Sequence, residues 1–278
     1  MATPGSTGTI NSGTAARTAG ATDGELRTMQ VDPIHQFQIE NLMPVATFAG
    51  HQFQFTNSAL VMFIIVGAVS ALLIGATAPR AMVPGRLQAI AEISYEFVAN
   101  TVRSSAGTEG MRFFPFVFTL FMFVLFANMI GLIPYSFTVT SQLIVTASLA
   151  LLVFFIVVGY GFWRNGLHFL NLFVPKGVPK AILPAIVVIE VLSFLSRPVA
   201  HSVRLFANML AGHITLQVFA GFIIMLAGAG VLGWFGAALP FIMVVMLTAL
   251  ELLVAFLQAY VFAILTCIYL NDAIHPGH

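Results

Sequence analysis

Residues 198–213, Pro198-Val-Ala-His-Ser-Val-Arg204-Leu-Phe-Ala-Asn208-Met-Leu-Ala-Gly212-His213, set a permanent charge inside an apolar stretch long enough to be membrane-embedded. Arginine does not escape burial by losing its proton, as a lysine can. At mid-bilayer it costs from ~3 kcal/mol on insertion scales to ~10 kcal/mol or more on an isolated helix. A cost of that size calls for a compensating partner, and no carboxylate lies within one helical turn of Arg204.

The rest of the chain fits that setting. Of 278 residues, 59% are hydrophobic and only 8% charged, with a mean hydropathy of +0.98. Soluble domains carry roughly 25% charged residues, so the composition is that of an integral membrane protein. The apolar runs far exceed the ~9–11 alternating residues of a barrel strand, which leaves an all-α bundle. A net charge of +1 excludes a nucleic-acid partner. A single cysteine, Cys267, allows no internal disulfide. There is no His-Glu-x-x-His or Gly-x-Ser-x-Gly spacing, so neither a metal site nor an intramembrane hydrolase is expected, and no cofactor.

Five crossings are expected, at about 58–77, 113–133, 143–163, 181–227 and 237–270. Between the first two, Leu87, Ile90, Ile93, Phe97 and Val98 recur at helical spacing opposite Gln88, Glu92 and Glu96. That pattern predicts an amphipathic helix over about 85–102, lying on the membrane surface because its charges are too many for hydrocarbon. Arg80 and Arg86 follow the first span, Arg164, Lys176 and Lys180 follow the third, and the turn between the second and third is uncharged. Basic loops therefore fall on one side, which the positive-inside rule makes cytoplasmic. The amino terminus is then outside and the carboxyl terminus cytoplasmic. The stretch 181–227 would make a helix ~70 Å long against ~30 Å of hydrocarbon. It is either steeply tilted, broken near Pro198 or Gly212, or split in two; the absence of a basic loop favours one tilted element forming a hairpin with the last helix. Residues 32–272 thus form a single membrane domain. The Gly-, Thr-, Ser- and Ala-rich residues 1–31 have the composition of a disordered tail, with a trace of transit-peptide character, and 273–278 form a C-terminal tail.

At 100° per residue, Arg204, Asn208, His201, Arg197 and Glu190 share one side of their helix, while His213 points the opposite way. On the last helix Glu251 and Gln258, seven apart, share a face. Ala200, Ala207, Ala211 and Gly212 flank the arginine and allow another helix to come close. Three depths of polar groups follow: Glu190, then Arg204, then His213 with Glu251 on the returning helix. Histidine and carboxylate relay protons, and arginine does not. Interhelical packing hydrogen bonds, worth ~0.6 kcal/mol on average, explain Gln258, Asn128 and Asn208 equally well. Glu251 paired with His213 is a structural tie compatible with either role, and His201 and Arg197 are placed toward cytoplasmic water. A self-contained proton-coupled secondary transporter with an Arg-anchored site is the alternative, but the internal inverted repeat such folds show is missing.

Leu195-Ser-Arg-Pro198 through Arg204-Leu-Phe-Ala-Asn208-Met-Leu-Ala-Gly212-His213 resembles the a subunit of the rotary F-type ATP synthase membrane sector, in its alphaproteobacterial and mitochondrial form. Supporting matches are Pro84-Gly-Arg, Asn128-Met-Ile-Gly-Leu-Ile-Pro134 and Glu251-Leu-Leu-Val-Ala-Phe-Leu-Gln258, with Glu190 fourteen residues before the arginine. The resemblance implies a stator subunit without a catalytic site for bond chemistry. It also implies that Arg204 faces a ring of c subunits and pairs transiently with their membrane carboxylates. It implies an outer proton half-channel lined by His213, Glu251, Gln258, Asn208 and Asn128, and an inner one near Glu190. The implied partners are the c-ring, b-type peripheral stalk subunits, the remainder of the F1Fo complex and membrane lipid. The expected location is the bacterial inner membrane, with the mitochondrial inner membrane as the alternative.

Overall fold

The structure is a computed structural model that describes residues 41–48, 51–77, 85–133, 136–174, 182–228 and 230–275. The expected tail 1–31, the loop cations Arg80, Lys176 and Lys180, and residues 276–278 lie outside the described residues.

An antiparallel hairpin opens the described chain, with β1 at Asn41–Phe48 and β2 at His51–Thr56. It was not anticipated, although Gln52-Phe-Gln-Phe55 alternates with the period of a strand. Six helices follow: α1 Asn57–Thr77, α2 Arg86–Gly110, α3 Phe114–Gly131, α4 Leu143–Asn165, α5 Leu183–Ala227 and α6 Val231–Ile274. Short 3-10 turns at Met111–Phe113, Val139–Ser141 and Gly166–Phe173 join or extend them. Among the described residues five segments are long and apolar enough to cross a membrane, namely α1, α2 running on into α3, α4 with its 3-10 extension, α5 and α6. The membrane part is therefore all-helical.

Local chemistry sets the boundaries. Thr56 Oγ1 accepts from the amide of Ala59 and Asn57 Oδ1 from that of Ser58, which satisfies free donors at the start of α1. Pro115 and Pro184 occupy the first turns of α3 and α5, where a missing amide costs nothing. Helix α2 runs past the expected end at 102 and kinks at Gly107, whose φ of 66° a side chain would resist. Its first half turns Leu87, Ile90 and Ile93 outward, as an apolar face against lipid would be. Its second half buries Val98, Val102 and Ala106, with the Phe97 ring tilted against those of Phe121, Phe256 and Tyr260.

The long pair is unbroken. Helix α5 holds 45 residues with Pro198 inside it, and α6 holds 44 with Pro240 inside. At 1.5 Å per residue each is ~66–68 Å long, roughly twice the hydrocarbon thickness, so the hairpin lies steeply tilted. Helix α5 is capped by Gly228 and α6 starts after Gly230, whose φ is 88°. Helix α6 thus begins well before the expected 237, taking Gly233 and Gly236 into the helix. In an apolar environment an unpaired backbone amide costs several kcal/mol, so helix continues through residues that would end it in water. At the far end Ala273 and Ile274 are buried in α6 rather than part of a tail.

The core lies where α2, α3, α4, α5 and α6 meet, around Val102, Phe121, Val153, Phe169, Phe194, Leu205 and Phe262. A smaller cluster of Ile65, Ala127, Phe137 and Val139 seats α1 against α3 and the turn after it. The outer surfaces of α5 and α6 stay apolar and exposed, with Ile189, Leu192, Leu239, Phe241 and Leu253 pointing away from the bundle. Apolar surface on that scale belongs in lipid or against another membrane protein.

Candidate functional site

Helix α5 separates its polar residues onto two faces. Phe194, His201, Ser202, Leu205, Met209 and His213 are buried against α4 and α6. Arg204 and Asn208 are exposed on the opposite side, together with Ala200, Ala207 and Ala211. No carboxylate among the described residues comes within ion-pair distance of Arg204; the recorded pairs are Arg164 with Glu109, Arg197 with Asp272, and His213 with Glu251. The arginine thus stands on an outward face stripped of bulk on either side.

His213, nine residues on, is buried and meets α6. Its Nδ1 lies 3.8 Å from Glu251 Oε1, with the two side chains only 9% and 6% exposed. Its Nε2 is 3.2 Å from the Thr138 hydroxyl, which also reaches the carbonyl of Gly131 at 3.4 Å. Neither Glu251 oxygen has a hydrogen-bond partner among the described residues. Two glycines make room for this arrangement. A Cβ on Gly212 would stand 2.5 Å from Glu251 Oε1, and one on Gly131 would stand 2.8 Å from Thr138 Cγ2. Gly212 was expected to admit a neighbouring helix, and the helix it admits is α6 of the same chain.

An open groove of about 250 Å³ runs over this region, lined by Asn208, Gly212, Thr215, Leu250, Glu251 and others. It connects Asn208 on the outward face with the inward carboxylate of Glu251. Gln258 is buried two turns along α6 on the face of Glu251, as the seven-residue spacing predicts. Asn128 is fully buried on α3, and its Nδ2 donates to the carbonyl of Ala255 at 3.2 Å. That bond ties α3 to α6 one turn from Glu251, which is the packing role considered for it. Its Oδ1 remains without a partner among the described residues.

Farther along the hairpin the polar groups are arranged differently from expectation. Arg197 does not point freely into water; its Nη1 donates to Asp272 Oδ2 at 2.7 Å, and its guanidinium lies over Phe194 and Tyr269. His201 is only 5% exposed, edge-on to Phe262 with ring centroids 3.9 Å apart. Neither of its ring nitrogens has a hydrogen-bond partner among the described residues. It sits at the border of the Arg204 stripe and turns into the bundle because α6 offers an aromatic surface there. The adjoining Ser202 shares a buried hydrogen bond with Thr146 of α4, at 3.2 Å. Glu190 is half-buried, fourteen residues or ~21 Å of helix from Arg204.

The structure therefore brings His213, Glu251 and Asn128 together with Thr138, keeps Arg204 and Asn208 outward, and leaves Glu190 apart. Thr138 carried no sequence signal beyond its place in an uncharged turn. Its contact spans 75 residues of sequence, and the Arg197–Asp272 pair likewise spans 75.

The profile of the family described as ATP synthase A chain matches residues 58–271, most of the chain. The chain belongs to that family. It is 65% identical over 248 residues to ATP synthase subunit a of Rhodopseudomonas palustris strain BisB18, covering 89% of this chain and all of that one. It is 66% identical over 250 residues to ATP synthase subunit a of Xanthobacter autotrophicus, covering 90% of this chain and all of the relative. With subunit a of Nitrobacter winogradskyi the identity is 64% over 248 residues. The self-contained transporter reading finds no support among these relatives.

Proposed function

We propose that this chain is the stator proton channel of an F-type ATP synthase in a bacterial inner membrane, amino terminus outside and carboxyl terminus cytoplasmic. The observation that carries this reading is Arg204. It is an uncancellable charge on the outward face of a membrane-length helix, lined by exposed alanines and without a carboxylate partner among the described residues. A charge in that setting fits a partner that arrives from another chain, and a ring of c subunits with membrane carboxylates supplies one. Arg204 then holds each passing carboxylate ionised by opposite-charge attraction. An outer half-channel delivers protons by way of His213, Glu251, Gln258, Asn208 and Asn128; an inner one near Glu190 removes them. The chain makes and breaks no covalent bond. It works with the c-ring, b-type stalk subunits and the rest of the F1Fo complex. A proton crossing 100 mV yields ~2.3 kcal/mol, so torque from several protons must accumulate for each ATP.

The test is Arg204→Ala in the whole complex reconstituted into vesicles. ATP-driven proton pumping is expected to vanish while the chain still copurifies with the ring. Unimpaired pumping by an assembled complex would falsify the role of the arginine.

A further inference from the structure

Arg204 is the expected barrier between the two half-channels, yet it stands on the outward face of α5 and does not interrupt the interior. Inside the bundle two polar clusters occupy one buried stripe of the same helix. One is His201 with the Ser202–Thr146 hydrogen bond, next to the partly exposed Arg197–Asp272 pair. The other is His213 with Thr138 and Glu251. They are twelve residues apart, ~18 Å along the helix. Each contains a histidine able to accept and pass a proton. A file of water between them would let protons bypass the ring altogether.

Only two side chains of the stripe lie between the clusters. Leu205 is 1% exposed and Met209 is 0% exposed. On the α6 side Ala255 and Ala259 are both wholly buried, and Leu205 belongs to the core that contains Val153, Ala259, Phe262 and Cys267. The buried polar side chains Asn128 and Gln258 of the neighbouring helices are amides and do not titrate, and the Asn128 nitrogen is engaged by the carbonyl of Ala255. At 100° per residue Leu205 and Met209 lie about 100° and 140° around the helix from Arg204, so the guanidinium guards a different side.

We propose that Leu205 and Met209 form a dry septum that insulates the two clusters within the chain, so that Arg204 blocks the ring-facing route and this apolar pair blocks the internal one. Apolar walls packed without a void exclude water, and a constriction that stays dry interrupts ion passage. The proposal rests on the half-channel reading above, and its test separates the two.

The complete complex is assembled with a ring whose membrane carboxylate is replaced by its amide, so that the ring carries no protons, and proton uptake into vesicles is driven by a diffusion potential. With the wild-type chain, uptake is expected at the level of protein-free vesicles; substantial uptake there would sink the half-channel reading itself. Met209→Gln and Leu205→Thr are expected to raise uptake at least tenfold, and the apolar Met209→Leu to leave it at background. If both polar variants assemble with the ring and remain at background, the septum is refuted. Should neither assemble, Met209→Cys is placed in a Cys267→Ala chain and exposed to a water-soluble thiol reagent. Labelling at least tenfold slower than that of Thr215→Cys in the groove supports the septum, and labelling at an equal rate overturns it.

Discussion

Arg204 and His213 lie nine residues apart on one helix and are treated in opposite ways. Around the arginine, Ala200, Ala207 and Ala211 leave an exposed, shallow surface, and no carboxylate of the described chain approaches. Around the histidine the contacts are close: Thr138 from the α3–α4 turn, Glu251 from α6, and glycines where any side chain would collide. On the proposed function, the outward face meets a partner that must move past, and the small residues leave it room. On the same proposal the inward face carries a proton along a fixed route, and its groups are held by packing. A substitution on one face should therefore fail differently from a substitution on the other.

The largest effect belongs to the outward face. Ala207→Leu adds bulk beside Arg204 where small residues permit close helix approach. Coupled ATP-driven pumping is expected to fall more than tenfold, while the thermal midpoint of the isolated chain in detergent stays unchanged because the position is exposed. A lowered midpoint with normal pumping would show that the face is structural.

Gly212→Ala probes the inward face with a single carbon. Its Cβ would meet Glu251 Oε1 at 2.5 Å, so the carboxylate must move away from its place beside His213. Overpacking of this kind costs about 1–3 kcal/mol. Here both readouts should respond: a lower midpoint, and passive proton flux through the assembled membrane sector reduced about tenfold, the equivalent of 1.4 kcal/mol. Unchanged flux would place Glu251 outside the route.

How far the sequence reached can be seen residue by residue. The opposed directions of Arg204 and His213 follow from 100° per residue, and the exposure of one and burial of the other agree with it. The seven-residue spacing likewise put Glu251 and Gln258 on one buried face. What periodicity does not contain is the register between helices. Thr138, Thr146 and Asp272 reach their partners across 56 to 75 residues, and no local pattern announces such meetings. Gly233 and Gly236 suggest a later start to α6 than the observed Val231, because glycine loses its force as a turn former where backbone amides have no water to bond. His201 was misjudged for a related reason: its angle puts it at the edge of the Arg204 stripe, and only the position of Phe262 decides which side takes it.

The smallest effect tests the residue that sequence could not find. Thr138→Val keeps the shape of a fully buried side chain and removes the hydroxyl that meets His213 Nε2 at 3.2 Å. A buried hydrogen bond of this kind contributes about 0.5–1.5 kcal/mol, so proton flux should drop between about twofold and tenfold. Thr138→Ser restores the hydroxyl and should restore most of the flux, although it loses the methyl that fits against Gly131. The pair of variants separates orientation from packing. If Val is harmless and Ser is harmful, the methyl fills space and the hydroxyl does nothing for His213. If Val slows the flux and Ser recovers it, the inward face depends on holding its histidine in one orientation, whereas the outward face keeps its arginine free of any such tie.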